Sequence, residues 1–168
     1  MSRSSRYLTP AAVAALALLS ISPALGAASS PQQATVESFV GTWACITHSS
    51  DNKTYRETDV DSMYGNWLRI NSSYPAQNGA PAGTGVTFFG YDAKNKHWVV
   101  TGVGTDGSYF IATSSSPEFN GSKFMDQYPS DHGTTVLHMT KSTEYSMDTQ
   151  APNDKGKTMT QHAVCTRQ

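Results

Sequence analysis

The chain has 168 residues, with 12 Lys or Arg, 13 Asp or Glu and two Cys, for a net charge of −1. So even a balance, with no basic run and no acidic tail, offers no electrostatic attraction to nucleic acid. The wide spacing of Cys45 and Cys165 excludes both a CxxC redox pair and a cysteine zinc site.

Residues 1–27 read as a secretory signal peptide. Arg3 and Arg6 form the positive region, Ala11 to Ile21 the apolar run, and Ala24-Leu25-Gly26-Ala27 the small residues before cleavage. The run is too short to span a bilayer and no second one follows, so no membrane span is expected. Export places the protein in the periplasm or outside the cell. Residues 28–35 are polar and breaker-rich and are expected to form a disordered tail. Residues 36–168 then form one domain of roughly 130 residues, enough for its own core.

Beyond the tail, short runs rich in Val, Thr, Tyr, Phe and Trp alternate with Gly, Asn, Asp and Pro clusters, and no stretch holds a helical period. Strands are predicted at Phe39–His48, Lys53–Asp59, Asn66–Ile70, Gly85–Tyr91, His97–Val103, Ser108–Ser114, Lys123–Gln127, Thr134–Met139, Thr143–Thr149 and Lys157–Arg167. Asp92–Lys96 is a tight hairpin, and Asp106-Gly107, Asn120-Gly121 and Asn153–Gly156 carry residues that tolerate positive φ. The long excursion Ser72–Thr84 is expected to be a loop at a barrel mouth. This is the all-β pattern of an antiparallel up-and-down barrel or a sandwich, and the cysteines near its two ends favour the barrel, of about 8–10 strands.

Two cysteines in an exported chain read as one disulfide, with two free thiols as the alternative. A Cys45–Cys165 bond joins the first strand to the last and closes the barrel. If the two face each other, antiparallel register sets Trp43 opposite Arg167, where the guanidinium covers the indole. The same register sets His48 opposite His162 on the other face.

Gly41-Thr42-Trp43 on the first strand with Arg167 on the last resembles the Gly-x-Trp and terminal Arg of lipocalins and other calycins. Gly90-Tyr91-Asp92-Ala93-Lys94-Asn95-Lys96-His97-Trp98-Val99, Asp106-Gly107-Ser108-Tyr109 and Ser116-Pro117-Glu118-Phe119-Asn120-Gly121 resemble a group of small, mostly bacterial, lipocalin-like proteins. The resemblance implies a calycin-type barrel, with Trp43 and Arg167 in structural roles.

The function most in keeping with this reading is binding of a small apolar or amphipathic molecule inside the barrel, by a monomer or weak dimer. Phe88, Tyr91, Trp98, Tyr109, Phe124, Met139 and Met147 are the expected wall, and abundant small side chains on the strands favour a hollow interior. One alternative is a barrel enzyme of isomerase, cyclase or hydrolase type, using a buried carboxylate or His with Tyr; His138, Glu144 and Tyr145 are the candidates. Another is a structural or partner-binding protein with a filled core. No HxxxH, HxH or HExxH pattern occurs, so no metal site is expected. No cofactor is expected either, haem being an alternative that needs His162 to face inward against its parity.

Overall fold

The computed structural model describes residues 30–128, 133–153 and 155–168. Residues 1–27, read above as a signal peptide, and His132 lie outside the described residues.

Ten strands follow in chain order: β1 (Gly41–Ser49), β2 (Thr54–Tyr64), β3 (Trp67–Tyr74), β4 (Gly83–Asp92), β5 (His97–Gly104), β6 (Tyr109–Ser114), β7 (Lys123–Tyr128), β8 (Thr134–Lys141), β9 (Glu144–Pro152) and β10 (Thr158–Arg167). Each pairs antiparallel with the next, and β10 returns to β1, so the sheet closes into an up-and-down barrel. Closure leaves no free edge. The barrel has ten strands, where lipocalins have eight.

Local chemistry fixes the turns. Asp92 Oδ1 accepts from the backbone N–H groups of Lys94 at 2.9 Å and Asn95 at 3.1 Å, which makes the β4–β5 hairpin. Asn153 Oδ1 does the same for Lys155 and Lys157 before β10. Both are side chains that mimic a backbone turn.

The two ends of the chain meet in the predicted register. Cys45 and Cys165 are opposed and bonded, Trp43 lies opposite Arg167, and His48 opposite His162. The Arg167 guanidinium carbon sits 4.5 Å from the Trp43 ring centroid, and its nitrogens donate to the carbonyls of Val40 and Ser38. Trp43 is fully buried, and its Nε1 donates to Phe39 O at 2.7 Å. Gly41 explains the glycine of the motif. Its φ is +145°, and a Cβ there would lie 3.0 Å from Arg167 Nη1.

Three features differ from the sequence reading. Residues 31–37, expected within or beside a disordered tail, form a helix, α1 (Pro31–Glu37). Pro31, read as a breaker, stands at the start of that helix, where its missing N–H costs nothing. Ser30 caps it by accepting from Gln33 N, and Val36 is buried. The strand β2 continues past Asp59 to Tyr64, which carries Asp61 onto the barrel wall. The long loop shrinks to residues 75–82, because β3 and β4 extend into both of its ends. That loop is tied down by Gln77, which bonds the N–H and C=O of Arg56, and by Asn78, which donates to Thr54 O.

The end near α1 is filled. Phe39 packs against Trp43, Phe89, Phe119 and Tyr145 with ring centroids 5.3–6.2 Å apart. Trp98 stacks on Phe89 at 5.2 Å and donates to Pro117 O. No helix among the described residues is long and apolar enough to cross a membrane.

Candidate functional site

Above this aromatic floor the barrel is hollow. A cavity of about 330 Å³ opens toward the end that carries residues 75–82. Its size is at the low end of small-molecule sites. Phe39, Leu68, Phe89 and Tyr145 line its deep part, and Ile70, Val100, Leu137 and Met147 form apolar walls. Thr87, Thr135 and Thr149 supply hydroxyls.

Alternation decides which predicted residues take part. Phe124 and Met147 line the cavity. Tyr91 and Trp98 point inward but belong to the floor, with their rings 5.0 Å apart. Met139 packs against the buried core rather than the cavity. Phe88 and Tyr109 are on the outside: Phe88 meets Tyr64 at 5.7 Å, and Tyr109 stacks on Tyr128 at 5.3 Å. Their neighbours Phe89 and Phe110 are the ones that line the cavity. An irregularity in the β6–β7 ladder, where Ile111 opposes Tyr128 but Ala112 opposes Asp126, keeps Asp126 inside and turns Tyr128 out.

The three catalytic candidates do not converge. Tyr145 lines the cavity, but Glu144, one residue earlier on the same strand, faces the opposite way, toward Thr140 and Lys141. His138 has the same outward parity, since Thr135 and Leu137 are the lining residues of β8. His162 is also outside, bonded to Asp148. Among the described residues no histidine lines the cavity, so no axial imidazole for haem is offered there.

What the cavity does present is acid. Among the described residues its charged lining groups are Glu57, Asp59 and Asp126, with no Lys or Arg. Glu57 and Asp59 lie two apart on β2, opposite Cys45 and Trp43 on β1, which places them on the inner face. Asp61 follows two further on and is also buried. Ser72 Oγ donates to Asp59 Oδ1 at 2.7 Å, and Asp59 Oδ2 lies 3.5 Å from Cys45 Sγ. A bonded sulfur carries no proton, so a proton at this contact belongs to the carboxyl. Burial, and then the charge of Glu57, push Asp59 up to about 7. Burial and the charge of Asp59 push Asp61 up to about 8, against the pull of Arg167. Burial likewise raises the Tyr145 phenol well above its ordinary range, aided by Asp59. Cys45, Asp59 and Cys165 come together, but with both sulfurs in the disulfide they offer no thiolate to a metal.

Sequence reasoning passed over Glu57, Asp59 and Asp61. The available signal was their i, i+2, i+4 spacing, which puts all three on one face of a strand. Strand acids usually face water, and only the β1–β2 register shows that these do not.

No family model matches the chain, and no curated protein sequence matches it. Among solved structures, the chain is similar to a de novo designed fluorescence-activating β-barrel, with 15% identity, 80% of this chain and 97% of that one covered, and a TM-score of 0.52. It is also similar to a redesigned β-barrel bound to DFHBI, with 12% identity, 77% and 99% covered, and a TM-score of 0.47. At 15% identity the likeness to the first of these is one of fold alone, a small β-barrel.

Proposed function

We propose that this chain is an exported, lipocalin-like binding protein that holds one small amphipathic molecule in its barrel. The apolar body would rest against Leu68, Ile70, Val100 and Leu137, and a cationic or donor-rich end would meet Glu57, Asp59 and Asp126. One observation carries this: among the described residues the cavity lining is apolar with hydroxyls, and every charged group in it is acidic. A bound cation relieves the repulsion among these carboxylates and replaces the water they lose. Export is supported by the signal-like segment 1–27 and the disulfide.

The test is titration of the disulfide-bonded protein with octylamine, octanol and octanoate, followed by tryptophan fluorescence. Octylamine should bind at least about tenfold more tightly than octanoate, a difference of about 1.4 kcal/mol. Asp59→Asn combined with Glu57→Gln should erase that preference while octanol binding persists. Equal binding of amine and carboxylate sinks the charge assignment, and failure of all three sinks the binding reading.

A second reading rests on Asp59 alone. A carboxyl pushed up to about 7 by burial, beside Tyr145 in the cavity, is suited to general acid–base catalysis on the bound molecule. A turnover lost in Asp59→Asn, with ligand binding retained, favours it.

A further inference from the structure

We propose that the outer face of the barrel carries a site for a late first-row divalent metal ion, such as Cu²⁺ or Zn²⁺, built from His48 and His162. The proposal is independent of the cavity. Strand register puts four side chains in one transverse row: Thr54 on β2 opposes His48 on β1, His48 opposes His162 on β10, and His162 opposes Asp148 on β9. All four have the parity opposite to the inward Trp43, Cys45, Ala163 and Met147, so the row stands outside. Directly opposed residues have Cβ atoms about 4.5–5.5 Å apart, within reach of two imidazoles sharing one ion. His48, His162 and Asp148 line a common surface depression.

The two rings are held from their far sides. His162 Nδ1 is 2.7 Å from Asp148 Oδ1. A carboxylate only accepts, so this nitrogen carries a proton, and in the neutral ring Nε2 then has the lone pair a metal ion needs. His48 Nδ1 is 3.1 Å from Thr54 Oγ1, and the tautomer that donates here leaves Nε2 open in the same way. Neither Nε2 has a hydrogen-bond partner among the described residues. A carboxylate on the far nitrogen of a ligating His is the usual support of a metal site, because it fixes the ring and raises its basicity. An ordinary ion pair accounts for one histidine and one aspartate. It does not account for a second imidazole set directly alongside, braced the same way. Two neutral imidazoles suit Cu²⁺, Ni²⁺ and Zn²⁺, with Cu²⁺ held most tightly. Water would complete the coordination.

Calorimetric titration of the full disulfide-bonded chain with CuCl₂ and with ZnCl₂, in a non-chelating buffer, tests this. One ion per chain is expected, with Cu²⁺ bound more tightly than Zn²⁺. His48→Gln and His162→Gln should each weaken binding at least about tenfold, and Asp148→Asn by about tenfold. His138→Gln, on the same outer surface but outside the row, should change nothing. All four positions are away from the core, so unchanged melting curves will confirm intact folds. Nitrogen NMR with Zn²⁺ should shift Nε2 of both His48 and His162. Binding that survives both histidine substitutions, no saturable binding, or a shift confined to other histidines overturns the proposal.

Discussion

Between pH 5 and pH 7 the folded barrel should lose stability, because Asp59 keeps in the fold a proton that the unfolded chain has already released. The ordinary aspartate value is 3.8, and Asp59 is raised to about 7 by burial and by Glu57. Wherever the native state binds more protons than the unfolded state, stability falls as pH rises. The advantage of the protonated fold is therefore complete below about pH 4 and gone once the pH passes Asp59's native value. Each pH unit between them costs about 1.4 kcal/mol for one retained proton, so the step from pH 5 to pH 7 is worth about 2–3 kcal/mol. Asp61, raised to about 8, acts in the same direction and carries the decline higher. The assay is urea unfolding of the oxidised protein at pH 5, 6, 7 and 8. Asp59→Asn, which keeps the shape and removes the titration, should flatten the slope and leave the variant more stable than the parent at pH 8. A parent protein equally stable at pH 5 and pH 7, or a variant with the parent's slope, refutes the reasoning.

Trp43→Ala should cost about 3–5 kcal/mol in chemical unfolding, since the ring is fully buried between Tyr145 at 4.9 Å and Arg167; a loss below about 1 kcal/mol contradicts that packing. Reducing the disulfide, which spans 120 residues, should remove about 4–5 kcal/mol by the loop-entropy relation. Denaturation without reductant should expose no thiol to alkylation. Gly90→Ala should destabilise by about 1–3 kcal/mol, because a Cβ there would lie 2.5 Å from the Trp67 ring; near-UV circular dichroism will show the indole displaced.

The candidate site was only partly legible. Apolar strand residues tend inward, as Phe124 and Met147 do, but Phe88 and Tyr109 face out while their neighbours Phe89 and Phe110 line the cavity. Adjacent positions on a strand point to opposite faces, so a one-residue uncertainty in parity exchanges wall for surface. The pairing of Glu144 with Tyr145 as catalytic partners fails for the same reason. The acids were missed because their sequence context, Arg56-Glu57-Thr58-Asp59-Val60-Asp61, is that of a solvated strand.

By itself the sequence placed the strand segments of a barrel of about 8–10 strands, the turns between them and, through the expected disulfide, its closure. Each of these rests on local chemistry or on one covalent bond: β-branched and aromatic runs, Asp and Asn side chains that fold their own backbone, and Cys45 facing Cys165. That bond also fixed the register of β1 on β10, and with it Trp43 under Arg167 and His48 beside His162. Only the tertiary structure decided the rest. Whether Pro31–Glu37 folds depends on Val36 finding a buried place and on Arg167 reaching the carbonyls that follow the helix. Whether the barrel is hollow depends on how ten inner faces sum, and Ser72, Thr87, Ala112, Thr135 and Thr149 on the lining leave space that bulky residues would fill. The charge of that space is set by a hairpin register which carries Glu57 and Asp59 inward, since burial belongs to the whole sheet and not to the residue.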